Sequence, residues 1–179
     1  MKYDVAIIGA GPGGIFTAYE LIKIKPELKI CVLEAGNPLE KRKCPIDGVQ
    51  IKNCIHCSTC AIMNGFGGAG AFSDGKYNIT NEFGGNLHEY IGKSEALELM
   101  RYVDKINCEY GGEKTRLYST ASSSFKTECL RNGLHLLDAS VRPLGTDIDC
   151  EVLQNLYAHL FDKVEFHFLT KVEPVEIAE

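Results

Sequence analysis

Tyr3-Asp4-Val5-Ala6-Ile7-Ile8 runs straight into Gly9-Ala10-Gly11-Pro12-Gly13-Gly14 near the start of the chain. The stretch reads as an apolar strand that opens a G-x-G-x-x-G turn, followed by a helix. A second apolar stretch, Lys29-Ile30-Cys31-Val32-Leu33, ends at Glu34, 20 residues after Gly14. Strand, glycine turn, helix, strand and terminal acid together outline a dinucleotide cradle.

Each residue of the cradle has its own physical reason. Gly9 lets the chain turn tightly as it leaves the strand, and Gly11 lets the backbone approach a pyrophosphate. Gly14 lets the helix pack close to the strand. Pro12 falls at the helix start, where its missing N–H costs nothing. The unpaired N–H groups of that first turn, around Gly13, then face the phosphates. Glu34 suits a ribose hydroxyl pair, and its charge disfavours a 2′-phosphate.

Working outward, the chain has 179 residues with a net charge of -5 and no basic block, so nucleic acid is not an expected partner. The N-terminal apolar run is too short to span a bilayer, and Asp4 interrupts any signal-peptide layout. No membrane association and a cytoplasmic location are the default expectations.

Ile15 to Lys25 has helical periodicity, ended by Pro26. Ser94 reads as the cap of a helix over 95–107, and Thr146 as the cap of another over 147–160 with Asp149 in the capping-box position. Leu134 to Leu137 reads as a short strand, and Val164 to Leu169, extended by Thr170 to Val172, as a sheet strand. Val175-Glu176-Ile177 could begin another. The fold class expected is α/β, a partial Rossmann-like domain whose parallel sheet is incomplete. Segments 1–40 and 145–179 form the nucleotide-binding core, 41–92 a Cys- and Gly-rich cofactor-facing stretch, and 93–144 a helical or irregular insertion. An unfinished sheet implies self-association, or pairing with a missing C-terminal portion.

Cys54, Cys57 and Cys60 have C-x-x-C-x-x-C spacing, with Cys44 upstream and His56 between. Thiolates at such steps suit an iron–sulfur cluster more than a structural zinc ion, which favours two C-x-x-C pairs, although no fourth Cys follows before Cys108. Thiol redox chemistry and plain reduced cysteines are the other readings. Eight of the 18 glycines lie between Gly65 and Gly92, interleaved with Phe and Ala, which is unlike a simple linker.

Several segments resemble the N-terminal part of a little-characterised bacterial family of FAD-dependent dehydrogenases, related in fold to the glutathione-reductase-like flavoproteins. They are Gly9 to Ile15, Arg42-Lys43-Cys44-Pro45, the triple-cysteine segment, GGAGAFSDGK at 67–76, Gly84-Gly85-Asn86-Leu87 and Val141 to Asp147. The resemblance implies that Gly9, Gly11, Pro12, Gly13 and Gly14 hold the FAD pyrophosphate, and Glu34 with Ala35 the adenosine ribose. It places Arg42 and Lys43 where cations offset phosphate charge, their other reading being a solvated basic turn. It sets Gly67, Gly68, Ala69 and Gly70 along the cofactor, with Ser73 and Lys76 near the flavin ring, and Val172 beside the adenine. It also makes this chain the front portion of longer proteins.

No catalytic residue stands out among His56, His88, His135, His159 and His167, of which His88 is the pocket candidate. The function expected is a flavin-dependent oxidoreductase, or its FAD-binding portion, passing a hydride between flavin and a small organic substrate or electron carrier. An NAD-binding dehydrogenase and a non-enzymatic metal or electron-transfer module are the alternatives.

Overall fold

The computed structural model describes residues 2–173, and the strand expected at Val175-Glu176-Ile177 lies outside them. In chain order the elements are β1 (Val5–Ile8), α1 (Pro12–Ile24), β2 (Ile30–Leu33), β3 (Lys76–Ile79), α2 (Leu87–Ile91), α3 (Lys93–Glu109), β4 (Tyr118–Ser119), α4 (Phe125–Arg131), β5 (Ser140–Pro143), α5 (Gly145–Phe161) and β6 (Val164–His167). Short 3₁₀ turns occur at Leu39–Lys41, Gly68–Phe72 and Gly112–Lys114. The chain divides into two compact units, Met1–Ser73 with Leu153–Glu179, and Asp74–Val152. No helix of the described residues is long and apolar enough to cross a membrane.

The first unit holds a parallel three-stranded sheet in the order β1-β2-β6. Register pairs Ile7 with Val32 and Val32 with Phe166. Side chains alternate across a strand, so Ile7, Ile30, Val32 and Val164 share one face, and all four are buried. Ile15, Ala18 and Ile22 are the buried positions of α1 and follow the helical repeat. Phe66 is 0% exposed and packs edge-on against Tyr157 at 4.9 Å and Phe166 at 5.7 Å. Burying that ring contributes about 2–3 kcal/mol and anchors the start of the glycine-rich segment. The other face of β1 carries Ile8, 63% exposed, and its outer edge pairs with no strand among the described residues.

The second unit holds an antiparallel sheet in the order β3-β5-β4. The sequence reading missed this sheet, and the strand expected at 134–137 falls instead at Ser140–Pro143. Two of the segments that carry the family resemblance meet here. The amide of Leu144 donates to the Gly75 carbonyl at 2.8 Å, and a Cβ on Gly75 would lie 2.6 Å from the Gly145 carbonyl oxygen. Arg142 on β5 makes a bidentate pair with Asp104 on α3, at 2.7 and 2.8 Å, and both are buried.

Both expected helix caps are displaced. Helix α3 begins at Lys93 after Gly92, and Ser94 lies inside it with its hydroxyl toward Glu98. Helix α5 begins at Gly145, before Thr146. Glycines with φ of +92° and +68° set the chain direction at these starts, which is work a serine or threonine side chain does not do. Strand β6 ends at His167. Leu169 adopts a φ of +55°, so 170–172 does not extend the strand.

Candidate dinucleotide site

The glycine turn is built as its sequence implies. Gly9 leaves β1 with a φ of +94°, and its amide donates to the Leu33 carbonyl at 2.8 Å. Gly11 is the N-cap of α1 and Pro12 its first residue. The first intrahelical bond runs from the Ile15 amide to the Gly11 carbonyl, so the amides of Gly13 and Gly14 precede it. A Cβ on Gly14 would sit 1.9 Å from the Gly9 carbonyl oxygen, whereas one on Gly13 would meet nothing within 4 Å. Gly14 is thus a packing glycine, and Gly13 borders open space at the positive end of the helix.

A second glycine wall lies against this turn. The Gly67 amide donates to the Ala10 carbonyl at 2.8 Å. A Cβ on Gly68 would come within 3.2 Å of the Gly11 Cα. Backbone therefore meets backbone, and Gly65, Gly67 and Gly68 hold positive φ values of +117°, +88° and +61°. Ala69 and Gly70 continue the segment at the surface. The Ser73 hydroxyl donates to the Gly70 carbonyl at 2.8 Å.

Glu34 is 6% exposed, and its carboxylate joins three parts of the chain. Oε2 accepts the Ala10 amide at 2.6 Å, while Oε1 accepts the amides of Gly36 at 2.7 Å and Gly65 at 2.8 Å. The acid read as a ribose acceptor is therefore also the organiser of the turn. Oε1 takes two N–H groups and Oε2 one, which leaves room on Oε2 for a further hydroxyl. Ala35 is half-buried beside it.

Arg42 is also 6% exposed. Nε donates to the Ala61 carbonyl at 2.9 Å, Nη2 to Ile62 at 2.7 Å, and Nη1 to Phe66 at 2.7 Å and Gly68 at 2.8 Å. The guanidinium also lies over the Phe72 ring at 4.7 Å. This is not a solvated turn. Lys43 next to it is exposed. Val172 is half-buried and lies beyond the end of β6. Lys76, in the second unit, pairs with Asp74 at 2.7 Å.

The cysteines are not drawn together as a ligand set. Cys54 and Cys57 are exposed, Cys44 and Cys60 half-buried, and no three His, Cys, Asp or Glu side chains among the described residues are grouped to hold a metal ion. Nothing in the described structure therefore supports an iron–sulfur or zinc centre. The loop has another organiser that the sequence reading passed over. The Asp47 carboxylate accepts the amides of Val49, Gln50 and Ile51 at 2.8–2.9 Å. Those bonds, Ile51 foremost, hold its pKa below the usual carboxylate value.

Among the histidines, His88 borders a cavity of about 390 Å³ in the second unit, with Tyr77, Asn81, Phe83 and Met100. His135 is exposed. His159 packs on Tyr19 at 5.5 Å, and burial, then Lys163, push its pKa down. His167 lies 3.1 Å from the Tyr3 hydroxyl and 3.3 Å from Glu165. The hydrogen bond between Tyr3 and Glu165 is the main reason the phenol is pushed up to about 12.

A parallel sheet with a glycine turn at the carboxyl end of its first strand and an acid at the end of its second defines a Rossmann-like α/β fold. No family model matches the chain. Over 55 residues, 31% of this chain and 11% of the relative, it is 42% identical to the mitochondrial L-2-hydroxyglutarate dehydrogenase of Dictyostelium discoideum. Among solved structures it is similar to glycine oxidase from Bacillus cereus, at 16% identity and a TM-score of 0.47, covering 99% of this chain and 49% of that one. It is similar also to L-amino acid deaminase from Proteus myxofaciens, at 16% identity and a TM-score of 0.39, covering 99% and 40%. The chain thus spans about a tenth of the curated relative and half or less of the solved ones. The sequence match does not single out the glutathione-reductase-like branch.

Proposed function

We propose that this chain is the FAD-binding portion of a flavin-dependent oxidoreductase acting on a small organic substrate or electron carrier. The observation that carries the reading is the pair of glycine walls, Gly11 on the turn and Gly68 on the segment after β2, held face to face by the bond from Gly67 to Ala10. A bare nucleotide turn serves NAD and FAD alike. A second glycine wall after β2 suits a cofactor that runs along that segment, and this favours FAD.

The residues present fit such a group. Gly9, Gly11, Pro12, Gly13 and Gly14 would hold the pyrophosphate, through first-turn amides and the absence of side chains. Glu34 would accept one ribose hydroxyl on Oε2 while Oε1 keeps the Gly36 and Gly65 amides in place. Its charge, already fixed among backbone N–H groups, would repel a 2′-phosphate. Gly67, Gly68, Ala69 and Gly70 would continue the same backbone-lined surface along the cofactor. The bound flavin would supply the hydride chemistry, so no acid–base pair is required of this portion. The edge of β1 that pairs with no strand among the described residues belongs with the same reading, since self-association or further sheet would cover it.

Calorimetric titration of the ligand-free protein with FAD, NAD and NADP tests the reading. Saturable binding of FAD, weaker binding of NAD and none of NADP are expected. Equal affinity for NAD and FAD would point to a nicotinamide dehydrogenase instead.

A further inference from the structure

We infer that Arg42 is a positioning residue that fixes the second glycine wall, not a ligand of the cofactor's phosphates. The inference rests on the flavin reading only for its effect on binding. Its structural half stands on the side chain's own contacts.

Those contacts close a loop around one guanidinium. Two of the carbonyls, Ala61 and Ile62, lie before the wall, and two, Phe66 and Gly68, lie within it. Phe72, at the end of the same segment, stacks on the cation. The planar fork of arginine can reach four carbonyls in different directions at once, which a lysine ammonium on a flexible stem cannot match. Gly65 makes room for it, since a Cβ there would lie 2.6 Å from the Arg42 Cδ. Glu34 holds the same segment with the opposite charge, taking the Gly65 amide at 2.8 Å. One buried anion thus takes N–H groups and one buried cation takes carbonyls, and between them the wall has its place before any ligand arrives. Four of the five guanidinium N–H groups thus go to carbonyls of the chain itself, on a side chain that is 6% exposed.

The test uses the full chain with Arg42→Met and Arg42→Lys. Hydrogen exchange in the ligand-free protein reads the wall itself. The Gly67 and Gly68 amides should lose protection by tenfold or more in both variants, because lysine keeps the charge but not the fork. FAD affinity should fall by about tenfold. The ratio of variant to wild-type Kd should stay constant as NaCl is raised, since salt screens a direct cation–phosphate pair but not a misplaced backbone. Unchanged protection at Gly67 in a folded Arg42→Met would overturn the inference. So would a Kd ratio that collapses toward one at high salt, or a lysine variant that behaves as wild type. Should neither Arg42 variant fold, Phe72→Leu removes only the ring beneath the guanidinium. It should reduce Gly67 protection about threefold, and no reduction would overturn the inference. Lost protection in a protein whose wild type does not bind FAD would uphold the positioning and sink only the flavin reading.

Discussion

The amide of Gly67 donates to the carbonyl of Ala10 at 2.8 Å, so the segment after β2 is bonded directly to the nucleotide turn. Two stretches far apart in sequence thereby make one backbone-lined surface. Each glycine on that surface has a distinct role, and the roles separate in experiment.

Gly14 and Gly13 are neighbours with opposite expectations. Gly14→Ala forces a methyl to within 1.9 Å of the Gly9 carbonyl oxygen, and it should destabilise the ligand-free protein by about 3 kcal/mol or more. Gly13→Ala meets nothing within 4 Å, and a helical alanine there should be neutral or stabilise by about 0.5 kcal/mol. Urea denaturation of the two variants measures both. Equal stability would mean that the close approach of α1 to the end of β1 is misplaced.

Glu34→Gln tests the organising role of the acid without changing its size. A glutamine offers one carbonyl oxygen where the carboxylate offers two, so at least one of the Ala10, Gly36 and Gly65 amides is left buried and unpaired. Stability should fall by about 2–3 kcal/mol even without cofactor. A ribose-binding acid with no structural role would instead leave the ligand-free melting curve unchanged.

In the second unit, Arg142→Met should be costly, because it strands the buried Asp104 carboxylate. A loss of about 3–5 kcal/mol is expected. Combining it with Asp104→Leu should recover much of that loss, since two apolar groups leave no buried charge. A double-mutant cycle with no coupling would contradict the bidentate geometry.

Burial raises the Asp149 carboxyl from 3.8 to about 6. The folded protein therefore holds this proton where the unfolded chain has released it. The contribution is fully present below about pH 4 and is lost as pH rises through about 6. Asp149→Asn should flatten that part of the stability profile. It should also raise stability at neutral pH by about 1 kcal/mol, a figure reduced for the solvent that still reaches the group. Denaturant midpoints from pH 4 to 8 decide, and an unchanged slope in the variant would refute the assignment.

How much of this the sequence shows depends on range. The β1–turn–α1–β2 unit is legible because its signals are local: an apolar run, a glycine pattern, a proline at the helix start and an acid at the strand end. The three strands of the parallel sheet are found for the same reason. The antiparallel sheet is not, because Lys76-Tyr77-Asn78-Ile79, Tyr118-Ser119 and Ser140-Val141-Arg142-Pro143 contain no apolar run to mark them as strands. Arg42 shows the limit for a site residue. The sequence displays its charge but not the four carbonyls that surround it, so a buried organiser reads as a phosphate contact or a solvated turn. The cysteines show the reverse, since a ligand-like spacing does not by itself bring thiols together in space.

The most direct test of the central claim is the FAD affinity of Gly11→Ala beside wild type, followed by quenching of flavin fluorescence. In the free protein a Cβ on Gly11 meets only the Gly68 Cα, at an ordinary 3.9 Å, so the fold has room for it. A pyrophosphate lying against the Gly11 backbone, along the surface the two walls form together, would take that room. The account predicts an unchanged melting temperature and a loss of FAD affinity of at least tenfold, about 1.4 kcal/mol. A Gly11→Ala protein that binds FAD as tightly as wild type would show that the cofactor does not lie in this cradle.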